Sequence, residues 1–211
     1  MCEMRGKGQS IKLYGHKVFL SWQSGLEDVR EHFYKTVWNY NQKFAINRGF
    51  VFIPTDWQNI PVGCGTDTRT QDVINRELKG CDYLILTFWN RCGSPSEKGD
   101  EKSSSRTEEE YDKALEYCSD KNVPMAGVAV FFRKVSTTQM ADPGEQLRIL
   151  LALKEKVAKS RLYKEFDSLG EFEKLVTEQL ESWLQNLGEH YREKRTVEET
   201  TVHSFSEPPD A

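Results

Sequence analysis

The 211-residue sequence predicts an α/β fold in which helices cover both faces of a parallel sheet. Four short apolar runs lie at residues 17–21, 50–54, 82–89 and 125–132. The last two, "DYLILTFW" and "MAGVAVFF", are apolar nearly throughout, which is typical of strands buried on both faces. A helical pattern follows each run. This alternation favours a three-layer, flavodoxin-like architecture with right-handed crossovers.

Each helix is predicted from apolar residues that recur every three or four positions. These patterns run from Leu26 to Phe44, Val73 to Leu78, Tyr111 to Cys118 and Leu147 to Val157. Residues 161–166, "RLYKEF", form a short extended piece that would complete a five-stranded sheet of order 2-1-3-4-5. A strongly amphipathic C-terminal helix is predicted after it, with apolar positions at Phe172, Leu175, Val176, Leu180, Trp183, Leu184 and Leu187.

The chain length fits a single domain with one good core. We expect a flexible N-terminus over 1–14, an α/β domain over 15–187, and a tail or linker over 188–211. Beyond Gly188 the sequence is charged, poor in aliphatic residues and rich in proline at its end, which is typical of a frayed helix leading into a linker. Such a linker would join the domain to another one in a longer natural chain.

Composition excludes several classes of function. A net charge of -4 and a pI near 5.7 argue against nucleic-acid binding as the main activity. The five cysteines include no C-x-x-C pair and the four histidines are scattered, so neither a disulfide framework nor a metal site is predicted. No signal peptide and no run of about 18 apolar residues is present, so we expect a cytoplasmic protein without a membrane partner.

A ligand site is expected where the strands of a parallel sheet end at their carboxyl edge. The segments 55–68 and 90–105 follow the second and third strands there, and loops of such length are often functional. Trp57, Trp89 and Arg91 lie in or beside them. Aromatic rings can stack on a base while a guanidinium meets a phosphate. The simpler alternative is that the two tryptophans only cap the core.

The segment "SSSRTEEEYDKAL" (103–115) allows two interpretations of Glu110. In the structural one, Thr107 is the N-cap of the third crossover helix and Glu110 completes a capping box. The same spacing recurs at Thr68/Gln71, Asp142/Glu145 and Ser168/Glu171. In the functional one, the Glu110 carboxylate stabilises the oxocarbenium-like centre that forms when a glycosidic bond breaks.

The segments "KVFLSW", "TQDVINRELKGCDYLILTFWNRCGSP", "SRTEEEYDKAL" and "VPMAGVAVFF" together resemble TIR-like domains that begin many bacterial and animal multidomain proteins. More distant relatives are the TIR domains that hydrolyse NAD and the nucleoside deoxyribosyltransferases. The resemblance covers roughly residues 16–185. It implies that Glu110, four residues before Ala114, is the matching carboxylate. It also implies that Ser21 and Trp22 lie where TIR domains open their nucleotide pocket.

Two features depart from the pattern of these domains. Arg106 replaces the usual glycine before the threonine, and an insertion at 96–105 separates the "GSP" turn from the helix. Both bear on how the pocket closes.

The leading hypothesis is a TIR-like domain that binds a nucleotide and hydrolyses the N-glycosidic bond of NAD or a relative, without a cofactor, in bacterial defence or signalling. Glu110 would be catalytic, and self-association would complete the pocket. The ligand-binding residues would be Ser21, Trp22, Trp57, Trp89, Arg91 and Thr107. The competing hypothesis is a non-catalytic module that binds a protein partner or oligomerises a longer chain.

Overall fold

In the computed structural model of the protein, five strands form one sheet in which every pairing is parallel. The structure describes the backbone of residues 11–60, 70–91, 106–160 and 162–204. It describes the side chains of these residues except 70, 106–108, 160 and 192–204. The predicted flexible terminus, the 96–105 insertion, Thr68 and the Thr107 side chain therefore lie wholly or mostly outside the described part.

The strands follow the predicted order, β2-β1-β3-β4-β5. They are β1 (Tyr14–Ser21), β2 (Phe50–Asp56), β3 (Tyr83–Phe88), β4 (Gly127–Arg133) and β5 (Lys164–Phe166). All six residues of β3 are buried, because the strand lies at the centre of the sheet. The sequence prediction of a flavodoxin-like α/β fold is confirmed.

Six helices connect and follow the strands. They are α1 (Glu27–Tyr40), α2 (Thr70–Lys79), α3 (Arg106–Ser119), the short α4 (Thr137–Ala141), α5 (Glu145–Ser160) and α6 (Leu169–Ser204). The 36 residues of α6 would extend about 54 Å at 1.5 Å per residue. The helix thus continues past Gly188, and the predicted domain limits at 15 and 187 remain predictions. In the described part of the chain, every helix is too short or too polar to serve as a membrane span.

Two apolar layers enclose the sheet, one on each face. Helices α1 and α6 cover one face, where Val18, Leu20 and Ile85 point. Helices α2, α3 and α5 cover the other, where Phe19 and Leu84 point. Successive strand residues thus enter opposite cores, as the period of two in a strand requires. This double burial explains why the sequences of β3 and β4 are apolar nearly throughout.

The outer edge of the sheet is formed by β2, whose backbone meets a side chain from the end of α1. The helix continues there into a π-helical turn (Asn41–Ala45) and a 3-10 turn (Ile46–Arg48). The buried amide of Asn41 donates to the Phe52 carbonyl at 2.7 Å and accepts from the Phe52 N–H at 2.9 Å. Pro54, two residues along, has no N–H to offer.

Close packing at Gly127 gives a stability test. Trp183 of α6 stacks on Tyr83 with ring centroids 4.2 Å apart, and a Cβ added at Gly127 would lie 2.8 Å from the indole Nε1 of Trp183. We expect Gly127→Ala to lower the free energy of unfolding by about 1–3 kcal/mol, because overpacking moves the ring or the strand. Urea denaturation measures the change.

The matched control is Gly170→Ala, in the first turn of α6, where the nearest atom to an added Cβ lies 4.0 Å away. This substitution should raise the free energy of unfolding by about 0.5–1 kcal/mol, because alanine favours a helix over glycine. Equal effects of the two substitutions would contradict the proposed role of Gly127 in packing.

Candidate functional site

The carboxyl ends of the strands bring several predicted site residues to one edge of the sheet. Strand β1 pairs with β2 along one of its edges and with β3 along its other edge. The order of the strands therefore reverses next to β1, and a crevice is expected between the segments that follow β1 and β3. Ser21 and Trp22 lie at the end of β1, and Trp89 and Arg91 follow β3.

Hydrogen bonds lock the β1–α1 loop to the segment that follows β3. Gln23 is buried, and its amide donates to the Arg91 carbonyl at 2.6 Å. The Arg91 guanidinium in turn donates to the Ser24 hydroxyl at 2.5 Å and to the Ser24 carbonyl. Gly25 follows with a φ of 96°, a left-handed conformation that favours glycine. Arg91 thus holds the shape of the loop through one nitrogen of its guanidinium, and the described residues leave the other donors of this group without a partner.

Trp89 and Arg133 form a second contact at this edge, on the side of β4. The Arg133 guanidinium carbon lies 5.2 Å from the centroid of the half-buried Trp89 ring. Arg133 also donates to both carboxylate oxygens of Asp28, at 2.9 and 3.2 Å, in the first turn of α1. One face of Trp89 is therefore occupied by a cation that is already paired.

Trp22 and Trp57 stack on each other at the ends of β1 and β2. Their ring centroids are 5.5 Å apart and the planes meet at 29°. Trp22 is 7% exposed, and its indole Nε1 is buried without a hydrogen-bond partner among the described residues. Trp57 is 43% exposed. The Trp57 ring is therefore an accessible aromatic surface. Next to it lies the Trp22 N–H, a buried donor without a hydrogen-bond acceptor among the described residues.

Ser21 is more deeply placed than the other residues of the predicted pocket wall. It is 2% exposed, and its carbonyl accepts from the Thr87 hydroxyl at 3.1 Å. This contact fixes the end of β1 to β3.

A buried charge fixes the end of β2 beneath Trp57. The Asp56 side chain is fully buried, pairs with Arg30 Nε, and accepts from the Gln58 N–H at 2.8 Å. Arg30 also lies 4.9 Å from the centroid of the Tyr34 ring. Burial, reinforced by the Asp56 charge, raises the pKa of Tyr34 to about 12. Sequence reasoning missed Asp56 and Arg30, although an aspartate directly after a strand was a visible signal.

Glu110 lies in the first part of α3 and faces α2. Its side chain is largely buried at 7% exposure, and Oε1 accepts from Gln71 Nε2 at 3.0 Å. Gln71 Nε2 also lies 3.3 Å from Asn75 Oδ1, and Asn75 Nδ2 donates to Glu109 Oε1 at 3.0 Å. These four side chains form a polar network between α2 and α3. The hydrogen bonds of this network are a structural reason for the burial of the Glu110 carboxylate.

The Gln71 side chain is only partly satisfied within this network. Gln71 is 2% exposed, and its Oε1 has no hydrogen-bond partner among the residues that the structure describes. Buried amide oxygens are normally paired, because an unpaired one loses its hydration without compensation. An acceptor is therefore available beside the Glu110 carboxylate.

The predicted N-cap at Thr107 is wrong. Helix α3 begins at Arg106, so Thr107 is the second helical residue and cannot be the N-cap. The analogous prediction at Asp142 also fails, because α5 begins at Glu145. At Ser168 the prediction succeeds: Ser168 Oγ accepts from the Glu171 N–H at 3.2 Å at the start of α6.

The contacts divide the predicted site residues into three groups along one edge. Trp22 and Trp57 stack on each other next to Ser21. Arg91 holds the β1–α1 loop, and Trp89 beside it contacts Arg133. Glu110 lies in the α2–α3 network. Among the described residues, no three His, Cys, Asp or Glu side chains cluster as metal ligands would.

Residues 17–181 match the family model "Domain of unknown function (DUF4062)". This match spans most of the chain. The chain belongs to the DUF4062 family. The family description assigns no activity, and a comparison with curated proteins finds no match.

Two solved structures resemble this DUF4062 domain distantly. A conserved protein from Enterococcus faecalis V583 is 11% identical, with a TM-score of 0.37, and the match covers 79% of this chain and 99% of that chain. General stress protein 14 from Treponema denticola, in complex with FMN, is 14% identical with a TM-score of 0.35. That match covers 82% and 99% of the respective chains. At these TM-scores neither structure informs the site of the DUF4062 chain.

The Arg30–Asp56 pair gives a test of the edge that carries Trp57. Arg30→Met should lower the free energy of unfolding by about 3–5 kcal/mol at neutral pH, because it leaves a fully buried carboxylate without its partner. Adding Asp56→Asn should restore much of this loss. Urea denaturation of the single and double variants measures both effects.

The matched control is Arg148→Met on the exposed surface of α5, which should change stability by no more than about 0.5 kcal/mol. An additive double variant, with no recovery from Asp56→Asn, would show that the two residues do not depend on each other.

Proposed function

We propose that the carboxyl edge of the sheet binds a nucleotide and that Glu110 supports cleavage of its N-glycosidic bond. The observation that carries this proposal is the buried Glu110 carboxylate in the first part of α3, held by Gln71 at 3.0 Å. The amino end of α3 lies at the same edge of the sheet as the segments after β1 and β3. A carboxylate placed there is within the region where ligands of parallel sheets bind.

The chemistry requires little from the protein beyond this carboxylate. In NAD the leaving nicotinamide already carries a positive charge, so its departure as a neutral molecule needs no general acid. Water adds to the anomeric carbon as the carbon–nitrogen bond breaks, and one proton is released. The Glu110 carboxylate stabilises the oxocarbenium-like centre that develops as the carbon–nitrogen bond breaks, and its low exposure strengthens that interaction.

Gln71 would position the reacting group. Its amide nitrogen fixes one Glu110 oxygen, which limits the rotamers that the carboxylate can adopt. Its carbonyl oxygen, unpartnered among the described residues, could accept a hydrogen bond from a ribose hydroxyl. Gln71 is therefore proposed as a positioning residue and Glu110 as the catalytic one.

The tryptophans and Arg91 would hold the remainder of the ligand. The exposed part of Trp57, supported from beneath by Trp22, offers a stacking surface for a base. The Arg91 guanidinium donors that no described residue occupies would contact phosphate, with Ser24 keeping the group in place. Ser21, Thr107 and Trp89 remain proposed wall residues. A role in bacterial defence or signalling, and completion of the pocket by self-association, belong to the same proposal.

The test measures NAD binding and nicotinamide release separately. Concentrated native protein should bind NAD and release nicotinamide, and Glu110→Gln should keep binding while losing at least about 100-fold in the rate of release. Calorimetry reports binding, and chromatography of the products reports release.

The matched control is Glu116→Gln, an exposed carboxylate on the same helix that pairs with Lys113. It should retain both binding and release. Binding without release in the native protein would remove the catalytic part of the proposal. No binding of NAD or other nucleotides at any protein concentration would remove the whole of it.

A non-catalytic interaction module is the second candidate, and several exposed apolar side chains favour it. Trp38 is 65% exposed, and Phe44 and Ile53 are 43% and 44% exposed in the segment from α1 to β2. Large aromatic side chains at a surface are typical of protein interfaces. Sedimentation of native protein and Trp38→Glu would test this alternative, since loss of a concentration-dependent oligomer in the variant supports it and a monomer throughout opposes self-association.

A further inference from the structure

A separate cavity lies at the other end of the carboxyl edge, beside β4 and β5. Its volume is about 190 Å³. The strands β4 and β5 form one wall, and α4 and α5 close the opposite side. Neither Glu110 nor Gln71 nor Trp57 lines this cavity, whereas Trp89 does.

The floor of the cavity is apolar. Phe132, Leu147 and Leu150 line it and are almost fully buried, with 3–6% of each residue exposed. Half-buried Leu151 and the partly exposed Met140 of α4 continue this lining toward solvent. An aliphatic or aromatic group entering the cavity would therefore leave water for contacts with carbon atoms, which is favourable.

The mouth of the cavity is basic. Three cations line it, Arg133, Lys134 and Lys154, against one carboxylate, Glu165. Lys154 Nζ lies 2.5 Å from Glu165 Oε1, and Arg133 is paired with Asp28 from outside the cavity. Lys134 is exposed, so its charge can turn toward a ligand at little cost.

We propose that this cavity binds a small amphipathic carboxylate, with its apolar part on the leucine floor and its charge between Lys134 and Lys154. An apolar pocket with a few charged groups at its mouth is the usual arrangement of a site for such a molecule. The volume is below the ~300–1,000 Å³ of sites for drug-sized ligands, which favours a small molecule over a dinucleotide as the occupant. This site is independent of the proposed chemistry at Glu110.

The probe is octanoate, with octanamide as its uncharged match. Calorimetry on the native protein should show octanoate binding about 2- to 5-fold more tightly than octanamide, the preference expected of an exposed ion pair. Lys134→Gln should reduce that preference, and Lys134→Arg should keep it. Lys159→Gln, which removes an exposed lysine at the end of α5 outside the cavity, should change neither affinity.

Filling the cavity tests whether the probe binds there. Leu151→Trp should weaken octanoate binding more than about 10-fold by occupying the space, since a molecule excluded from its pocket loses most of its contacts. Met140→Trp provides a second filling variant on the surface of α4, in case the first does not fold. Circular dichroism establishes folding for both.

Two outcomes would overturn the proposal. Equal affinities for octanoate and octanamide would show that the mouth does not recognise the anion. Unchanged octanoate binding in a folded filling variant would show that the probe binds elsewhere. Glu110→Gln separates this proposal from the proposed function. It should leave octanoate binding intact, whether or not the native protein releases nicotinamide from NAD.

Discussion

The double-sided burial of the central strands constrains everything else in this structure. Strands β1, β3 and β4 send alternate residues into two apolar cores, one beneath α1 and α6 and the other beneath α2, α3 and α5. A polar site on either face of the sheet would have to lie inside an apolar core. Burying polar groups there without hydrogen-bond partners would cost folding free energy. Chemistry is therefore confined to the strand ends, where the chain turns and backbone groups become free.

Several polar groups are buried at the carboxyl edge, and some of their atoms have no hydrogen-bond partner among the described residues. Asp56 has Arg30 and a backbone N–H, whereas Trp22 Nε1 and Gln71 Oε1 have no partner in the described part of the chain. Native structures leave few such atoms, and each one calls for an explanation, such as strain, a catalytic role or a bound water. His16 Nε2 and Thr36 Oγ1, away from this edge, also lack a partner among the described residues. The carboxyl edge is therefore the candidate site because its two such atoms lie next to other site residues, Trp22 Nε1 beside Trp57 and Gln71 Oε1 beside Glu110.

The fold was predictable because its signals are local and repeated. Uninterrupted apolar runs identified β3 and β4, and the alternation with helices led to the observed strand order. Exact helix starts were harder. The spacing of Thr107 and Glu110 matches a capping box, yet α3 begins at Arg106 and already includes Thr107. Ser136, which was not predicted as a cap, forms a complete box with Gln139 at α4. Such boxes depend on backbone geometry that spacing does not determine.

The candidate site was predictable only in its location. Arg30 meets Asp56 across 26 residues, and Gln71 meets Glu110 across 39, so no local pattern reveals either contact. Sequence reasoning placed Arg91 at a phosphate, but its first partner in the structure is Ser24 of the neighbouring loop. Side chains that bridge crossovers depend on how the helices pack, which is a property of the assembled fold.

The Asn41 amide on the outer side of β2 limits the growth of the sheet. It bonds both the N–H and the carbonyl of Phe52 and so occupies the place that one residue of a sixth strand would take. Backbone groups two residues apart in a strand point the same way, so the missing N–H of Pro54 falls on this same side. An extended peptide from another molecule would meet an occupied position and then one without a donor. The Asn41 amide and the Pro54 ring therefore hinder another strand from pairing with β2, the edge-to-edge addition through which sheets aggregate.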